Sequence, residues 1–341
     1  MKILVTGGAG FIGSNFIRHL LSSRRDVSVV NFDKLTYAGN PESLSDLASD
    51  SRYDFMRGDI TDLAAVSAVF QRGFDAVVNF AAETHVDRSI EDASPFLLTN
   101  VLGTQRLLEA ARITKLPRFV HISTDEVYGS APGSASFTEE TILDPRSPYA
   151  ASKASADHFV AAYANTYGVS AIILRCTNNY GPFQFPEKLI PLMIANAQEN
   201  KSLPIYGDGL QERDWLYVED YCRAIILAVE RGKTGEVYNV SAGTPQPNMK
   251  IVKTILSHLG KPESLIQYVK DRPGHDRRYA LDSSKIQREL GWTPLVSFEE
   301  GILRTIDWYR SNSPWLEHAR SGEYRNYYDR HYTHRSETFN R

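Results

Sequence analysis

The first thirteen residues constrain the fold more than any other stretch of the chain. A short apolar strand, predicted over residues 2–6, runs into the glycine-rich turn Gly7-Gly8-Ala9-Gly10-Phe11-Ile12-Gly13, and an amphipathic run from Ser14 to Leu21 follows. Glycines permit a tight turn close to a pyrophosphate, and the N-terminus of the next helix offers free N–H groups to phosphates. This order predicts a dinucleotide-binding unit; a purely structural turn is the alternative for the glycines.

An acidic residue ends the second predicted strand. The apolar run from Val27 to Phe32 is followed by Asp33. Dinucleotide-binding units place an acidic residue about 20 positions beyond the glycines, where it hydrogen-bonds a ribose 2′-hydroxyl. Because a carboxylate repels a 2′-phosphate, Asp33 favours NAD over NADP. A helix cap or a solvated loop acid is the alternative for this residue.

Strands and helices continue to alternate after Asp33. We predict a helix from Leu63 to Phe70 and a strand from Asp75 to Phe80, which ends at the small residues Ala81-Ala82. Asp59 is placed to meet an adenine amino group, although it fits equally an N-cap for the following helix. Repeated strand–helix–strand units imply a parallel sheet with helices on both faces. The predicted fold is therefore α/β, with a Rossmann-type doubly wound parallel sheet.

The second half of the chain has a different sequence pattern, with polar loops rich in glycine and proline. We predict an NAD-binding Rossmann domain over residues 1–175, a smaller α/β, mainly substrate-binding domain over 176–330, and a tail at 331–341. The apolar segments Cys222 to Val229 and Glu236 to Val240 are expected to return to the first sheet. The first domain then includes sheet contributions from about 218 to 240.

Two stretches carry the chemistry. The apolar run Phe119-Val120-His121-Ile122 predicts a strand. That strand places Thr124, Asp125 and Glu126 at its carboxyl end, where open α/β sheets bind their ligands. Pro148 is suited to open a helix. On that helix Tyr149 and Lys153, four residues apart, share one face.

These side chains suit an oxidation coupled to an elimination. A tyrosine has an ordinary pKa of about 10, and a nearby cation such as Lys153 or a positively charged nicotinamide ring favours its phenolate. Tyr149 can then remove a hydroxyl proton while hydride leaves the same carbon. Asp125 and Glu126 in a partly dry crevice suggest one acid and one base, as β-elimination of water requires. Two ordinary loop carboxylates are the alternative.

Cations and amides in the second half point to a phosphate-bearing ligand. The cations are Lys188, Arg213 and Arg272, and the amides are Asn178 and Asn248. Arginine offers a planar fork to phosphate oxygens. For each cation taken singly, an ordinary surface charge is the alternative.

Composition excludes several classes of protein. The formal net charge is −3, without the basic stripe of a nucleic-acid binder, and no apolar run approaches the ~20 residues that span a bilayer. Cys176 and Cys222 lie in apolar segments without a C-x-x-C spacing, which indicates reduced, buried thiols. We therefore expect a cytoplasmic protein with no metal site and no nucleic-acid or membrane partner.

In its motifs the chain resembles the extended short-chain dehydrogenase/reductase family, and within it the nucleotide-sugar 4,6-dehydratases. The resemblance rests on the glycine turn, on Thr124-Asp125-Glu126-Val127-Tyr128-Gly129, on Asn178-Asn179-Tyr180-Gly181-Pro182, on Pro186-Glu187-Lys188-Leu189-Ile190-Pro191 and on Asp271-Arg272-Pro273-Gly274-His275-Asp276. It implies that dTDP-glucose is oxidised at C4 by NAD, loses water across C5 and C6, and receives the hydride at C6. It also implies a homodimer built on helices.

The resemblance further implies a role for each site residue. Tyr149, assisted by Lys153, takes the C4 hydroxyl proton, and Thr124 holds the C4 oxygen. Glu126 removes the C5 proton, and Asp125 protonates the departing C6 hydroxyl. The implied cofactor-binding residues are Gly7, Gly10, Phe11, Ile12, Gly13, Asp33, Lys34, Leu35, Thr36, Asp59, Ile60, Ala81, Ala82, Glu83, Thr99, Tyr149, Lys153 and Asn179. The implied substrate-binding residues are Thr84, His85, Thr124, Asn178, Lys188, Leu189, Pro204, Tyr206, Arg213, Asn248, Asp271, Arg272 and His275.

Two other functions fit parts of the same sequence. One is a nucleotide-sugar epimerase or decarboxylase of the same fold, against which Asp125 beside Glu126 argues. The other is a dinucleotide-sensing protein without catalysis, which has no need for Tyr149 with Lys153 or for the two carboxylates. A product assay with dTDP-glucose separates the three.

Overall fold

The structure of the protein, a computed structural model, describes residues 1–321. The predicted tail at 331–341 lies outside the described residues. The strands are β1 (Lys2–Thr6), β2 (Ser28–Asp33), β3 (Tyr53–Arg57), β4 (Ala76–Asn79), β5 (Phe119–Thr124), β6 (Ala171–Cys176), β7 (Asn178–Tyr180), β8 (Leu203–Tyr206), β9 (Glu212–Arg213), β10 (Trp215–Tyr217), β11 (Val237–Val240), β12 (Gln246–Pro247) and β13 (Ile266–Val269).

Helices connect these strands. The α-helices are α1 (Phe11–Ser23), α2 (Leu63–Phe70), α3 (Val86–Glu91), α4 (Ser94–Phe96), α5 (Thr104–Thr114), α6 (Pro148–Tyr167), α7 (Leu189–Gln198), α8 (Val218–Arg231), α9 (Asn248–Leu259), α10 (Ser284–Leu290), α11 (Phe298–Ser311) and α12 (Ser313–Ala319). Short 3₁₀ helices cover Pro41–Leu47, Asp125–Tyr128 and Glu263–Leu265, and a π-helix covers Leu97–Gly103.

Seven parallel strands form the central sheet, in the order β11-β6-β5-β4-β1-β2-β3. Alternate residues of one strand enter opposite cores, because side chains alternate across a sheet. Ile3 and Val5 belong to the core on one face, and Leu4 belongs to the core on the other. Both faces are therefore covered, and the predicted doubly wound parallel sheet is confirmed.

The strand order reverses beside β1. The chain adds β2 and β3 on one side of β1, and later β4, β5 and β6 on the other. Ligands of open α/β sheets bind in the crevice outside the carboxyl ends of the strands at such a reversal. This topology places the glycine turn after β1 and the Thr124 stretch after β5 along one edge of the sheet.

The prediction for the segment Cys222 to Val229 is wrong. These residues lie within helix α8, which packs its buried face on the sheet, whereas the prediction for Glu236 to Val240 is confirmed by β11. A further apolar core, which includes Tyr180, Ile190 and Tyr309, lies in the second half of the chain. The division into two domains stays a prediction. Within residues 1–321 no helix has the length and apolar character needed to cross a membrane.

Candidate active site

Two cavities meet at the carboxyl edge of the sheet. The first runs from the glycine turn past β2 and β4 to the end of β5. The second lies between the start of α3 and the loops around Tyr206, Arg213 and Arg272. Glu126, Asn178, Glu187 and Lys188 line both cavities. A ligand in one cavity can therefore approach a ligand in the other at these four residues.

The glycine turn is shaped for a close backbone approach. Gly7 has φ +71°, and a Cβ atom on Gly13 would lie 2.5 Å from the Gly7 carbonyl oxygen. No side chain in the described part of the chain caps the N-terminus of α1 at Gly10, so its first N–H groups can bind an anion. Because Gly7, Gly10 and Gly13 all line the first cavity, the turn fits the pyrophosphate of a dinucleotide.

Two acids stand farther along the first cavity. Asp33 accepts hydrogen bonds from the backbone N–H groups of Ala9 at 2.9 Å and Leu35 at 2.7 Å. It is 7% exposed, so the interpretation as a solvated loop acid is wrong, and burial raises its pKa. Asp59 pairs with Lys34 at 2.7 Å. Asp62, not Asp59, caps α2, so the N-cap alternative for Asp59 is also wrong.

Asp125 and Glu126 follow β5 but stand in different surroundings. The Thr124 hydroxyl donates to Asp125 Oδ1 at 3.2 Å, while Oδ2 is buried with no hydrogen-bond partner among the described residues. Burial, and then the neighbouring Glu126 charge, raise the pKa of Asp125 well above its usual range. Burial also raises the pKa of Glu126, but three cations oppose the shift. This favours a protonated Asp125 beside a more readily ionised Glu126.

The cations that face Glu126 come from the second half of the chain. They are Arg272, Arg213 and Lys188. Arg213 is 5% exposed, so it is not an ordinary surface charge. Its guanidinium lies over the Tyr279 ring at 4.1 Å and donates to the Asp276 carbonyl oxygen at 2.9 Å.

Tyr149 and Lys153 both line the first cavity from helix α6. Burial, and then the Glu126 charge, raise the pKa of Tyr149 well above its usual value. In the protein alone the net shift is therefore upward, against the lowering expected from Lys153. The Lys153 ammonium donates to the Ile122 carbonyl oxygen at 2.6 Å and lies 3.3 Å from His121 Nε2. Burial lowers the pKa of Lys153 to about 8.

Nearly all predicted site residues line one of the two cavities. The first cavity contains Gly7, Gly10, Phe11, Ile12, Gly13, Asp33, Lys34, Thr36, Asp59, Ile60, Ala81, Ala82, Glu83, Thr84, Thr99, Thr124, Asp125, Glu126, Tyr149, Lys153, Asn178, Asn179 and Lys188. The second contains His85, Glu126, Asn178, Lys188, Leu189, Pro204, Tyr206, Arg213, Asn248, Arg272 and His275.

Two predicted residues lie outside both cavities. Leu35 lines a separate depression, because the turn after Asp33 directs its backbone N–H, not its side chain, toward the site. Asp271 stands behind the second cavity. Its carboxylate accepts from Gln211 Nε2 at 2.9 Å and lies 2.6 Å from His275 Nδ1, so it orients lining residues instead of lining the cavity.

Sequence reasoning missed two buried acids of the site. Glu187 lines both cavities, and its carboxylate accepts from the Tyr37 hydroxyl at 3.2 Å and lies 3.5 Å from Arg88. Asp87, at the start of α3, lies 3.2 Å from the Arg272 guanidinium and accepts from the Tyr206 hydroxyl at 2.8 Å. The one available signal was that Glu187 stands directly before Lys188, in a motif already singled out.

Buried polar atoms with no hydrogen-bond partner among residues 1–321 mark where ligands can bind. In the first cavity these are Oδ1 of Asn178, Oδ1 of Asn179 and Oγ1 of Thr177. In the second they are Oδ1 of Asn248 and Nε of Arg272. Buried polar groups usually find a hydrogen-bond partner. Both cavities therefore suit polar ligands, and the first fits a dinucleotide.

Comparison with known proteins gives consistent matches over almost the whole chain. A profile of the GDP-mannose 4,6 dehydratase family matches residues 4–305. A dTDP-glucose 4,6-dehydratase of Shigella flexneri is 52% identical, over 97% of this chain and 99% of its own length. The crystal structure of DesIV, a dTDP-glucose 4,6-dehydratase of Streptomyces venezuelae with NAD and TYD bound, is 50% identical with a TM-score of 0.91, over 94% of this chain and 100% of that chain. A UDP-glucose 4-epimerase of Thermus thermophilus in complex with NAD is 33% identical with a TM-score of 0.85, over 92% and 100% of the two chains.

Proposed function

The chain belongs to the GDP-mannose 4,6 dehydratase family, and we propose that it is an NAD-dependent dTDP-glucose 4,6-dehydratase. The product is dTDP-4-keto-6-deoxyglucose, formed by C4 oxidation, elimination of water across C5 and C6, and hydride return to C6. One observation carries the proposal. Asp125 and Glu126 stand in unequal surroundings at the junction of a dinucleotide cavity and a cation-rich cavity, beside Tyr149.

The residues of the first cavity are suited to hold NAD. The glycine turn receives the pyrophosphate, Asp33 receives a ribose 2′-hydroxyl, and Asp59 stands where the adenine is expected. When bound, NAD accepts a hydride from C4 and returns it to C6, and its oxidised ring adds a positive charge to the site. That charge opposes the burial and the Glu126 charge that raise the pKa of Tyr149.

The oxidation requires a base at the C4 hydroxyl. Tyr149 takes that proton, and the Lys153 ammonium, fixed on the β5 backbone, supports the negative charge that develops on the phenol. The Thr124 hydroxyl interacts with both Tyr149 and Asp125. It is therefore placed to hold the C4 oxygen between the base and the acid.

The elimination requires a base at C5 and an acid at C6. The ketone at C4 acidifies the C5 proton, which Glu126 removes because three cations favour its ionised form. Burial and the Glu126 charge raise the pKa of Asp125 and so favour its protonated form. Asp125 gives that proton to the departing C6 hydroxyl, so that water leaves, and the proton held by Glu126 returns to C5 when C6 receives the hydride.

The second cavity is suited to the nucleotide diphosphate. Arg213, Arg272 and Lys188 supply positive charge, and Asn248 supplies a buried amide. Arginine side chains bind phosphate oxygens through paired N–H groups. With the diphosphate held there, the glucose ring is directed toward Glu126, which lines both cavities.

Mass and NMR analysis of the product tests the proposal. The purified protein is incubated with dTDP-glucose, with UDP-glucose and CDP-glucose alongside. The expected product is a 4-keto-6-deoxy sugar, without net reduction of NAD. Asp125→Asn should lower its formation at least about 100-fold, whereas Asp144→Asn, a surface acid 67% exposed at its side chain, should not. A C4 isomer as the product, or wild-type turnover in Asp125→Asn, would contradict the proposal.

We further propose a homodimer in the cytoplasm. Exposed apolar side chains on adjoining helices, namely Leu97, Leu98, Ile113 and Tyr167, support a helical interface. The two free, buried cysteines fit a reducing compartment. Analytical ultracentrifugation of the full chain tests the dimer, and a monomer at micromolar concentration would contradict it.

A further inference from the structure

A buried polar chain lies directly behind Lys153. His121, on β5 and 1% exposed, places Nε2 3.3 Å from Lys153 Nζ and 3.7 Å from Asp157 Oδ1. Asp157 Oδ1 has no hydrogen-bond partner among the described residues, while Oδ2 accepts from Arg175 Nε at 2.8 Å. The mechanism above does not use any of these groups except Lys153.

The hydrogens of the Lys153 ammonium can be counted. An ammonium has three donors. One goes to the Ile122 carbonyl oxygen at 2.6 Å, and His121 Nε2, 3.3 Å away, can accept a second when it carries no hydrogen. The third is then left for the first cavity, which Lys153 lines. These two contacts with β5 therefore orient the ammonium so that its third hydrogen faces the first cavity.

Nε2 can accept from the ammonium when the imidazole carries its hydrogen on Nδ1. In the structure Nδ1 lies 3.2 Å from the Asn79 amide nitrogen, while the Thr6 hydroxyl donates to Asn79 Oδ1 at 2.6 Å and Asn79 Nδ2 donates to Thr104 Oγ1 at 3.3 Å. Turning the Asn79 amide over would place its oxygen against Nδ1–H, with the Thr6 hydroxyl accepting from the amide and the Thr104 hydroxyl donating to it. The residues around His121 thus allow the tautomer that Lys153 needs.

We propose that His121 is a positioning residue for the reaction, whose neutral imidazole accepts a hydrogen bond from Lys153 and, together with the negative charge of Asp157, keeps that lysine charged and aimed at the first cavity. The inference rests on the proposed function, because it concerns the lysine that supports Tyr149. By this proposal, residues behind the site affect the reaction through Lys153. His121 itself does not contact the substrate.

Burial and the charged groups around Lys153 raise or lower the pKa values of Lys153, His121 and Tyr149. Asp157 on α6 and the Cys176 thiol on β6 both raise the pKa of Lys153, against burial, which lowers it to about 8. Burial, Lys153 and Arg175 hold the pKa of His121 well below its usual value, so the ring is neutral. Across the cavity, Glu126 and Asp125 act on Tyr149. Above about pH 8 Lys153 loses its charge, so activity should fall on the alkaline side.

The matched pair His121→Gln and His121→Met tests the proposal. The two side chains are similar in size, but glutamine offers an amide oxygen to the ammonium, whereas the methionine sulfur is only a weak acceptor. Methionine should lower the pKa of Lys153 and move the alkaline limb of the kcat profile down by about one pH unit or more, since hydrogen bonds to charged groups are the stronger ones. Glutamine should keep most of the wild-type profile. Melting temperatures report any general loss of stability.

Two kinetic outcomes would overturn the proposal. One is an alkaline limb unchanged in both variants, and the other is an equal displacement in both. If neither variant folds, ¹⁵N-histidine NMR of the unaltered protein tests the proposal by showing which ring nitrogen of His121 carries the hydrogen. The His121 signals are assigned through its backbone amide. The expected ring is neutral with its hydrogen on Nδ1, and a hydrogen on Nε2 below pH 8 would refute the proposal. This NMR result does not depend on turnover, so it is separate from a failure of the proposed function.

Discussion

Replacing Glu126 by glutamine should separate the two halves of the reaction. Glu126 is the proposed base at C5, so Glu126→Gln should block the elimination. The same carboxylate is, after burial, the largest cause of the raised pKa of Tyr149. Its removal should therefore leave the base of the first step intact and easier to ionise.

The expected size of the effect follows from these roles. A positioned general base contributes about 10²–10⁴ in rate, so formation of the 4-keto-6-deoxy product should fall by that factor, or by ~3–5 kcal/mol in barrier height. Stability should be equal or greater at neutral pH. The reason is that the raised pKa of Glu126 means its ionised form opposes folding, and glutamine carries no charge.

Rapid mixing with dTDP-glucose measures both steps. The absorbance of reduced nicotinamide reports C4 oxidation, and quenched samples analysed by mass report dehydration. In Glu126→Gln the reduced cofactor should form and persist. Glu263→Gln, a surface acid 62% exposed at its side chain, is the matched control and should behave as wild type in both assays.

Two results would refute this reasoning. Product formation at the wild-type rate would show that Glu126 is not the base. Absence of reduced cofactor in a folded Glu126→Gln protein would show that Glu126 acts at or before C4 oxidation. In that case the assignment of the two carboxylates to the elimination alone would be wrong.

Three further substitutions test the supporting geometry. Asp33→Asn removes the charged acceptor at the end of β2, so NAD should bind about tenfold more weakly and its preference over NADP should shrink; dissociation constants for both cofactors measure this, and unchanged ratios would contradict it. Gly13→Ala puts a Cβ atom 2.5 Å from the Gly7 carbonyl oxygen, so calorimetry should show weaker NAD binding and a lower melting temperature. Asp87→Asn weakens the anchor of Arg272, so the KM for dTDP-glucose should rise more than kcat falls; an effect on kcat alone would argue against an anchoring role.

The fold could be predicted wherever one strand or helix carries its own signal. The apolar run and glycine turn before Ser14, and the segment Leu63–Phe70, determine their structure locally, and the structure agrees. The segment Cys222 to Val229 was predicted wrongly because it is almost wholly apolar. The spacing of apolar and polar residues that indicates a helix is therefore not visible within those eight positions. The helix signal lies in the flanks, where Glu219 and Asp220 stand in the first turn of α8 and Arg231 stands in the last.

The site could be predicted only to the extent that motifs are local. Thr124 to Glu126 and the Tyr149–Lys153 pair were placed correctly because each lies at the end or on one face of a single element. No spacing rule connects Asp87 with Arg272, 185 positions away. The raised pKa of Tyr149 could not be predicted for a similar reason, since the sequence shows that Lys153 is near but not that the folded site buries the phenol beside the Glu126 charge.

The division of labour between the two carboxylates arises from the assembly of both halves of the chain. Asp125 and Glu126 are adjacent, follow the same strand and are both desolvated, and the Thr124 hydrogen bond in their own half lowers the pKa of Asp125, so it does not explain why Asp125 is the acid. Arg272, Arg213 and Lys188 act on Glu126, whereas Asp125 has Arg213 and the unfavourable Glu126 charge. The loops proposed to hold the diphosphate thus also separate the acid from the base. A Rossmann half alone, even with every catalytic side chain, would lack the electrostatic asymmetry that dehydration requires.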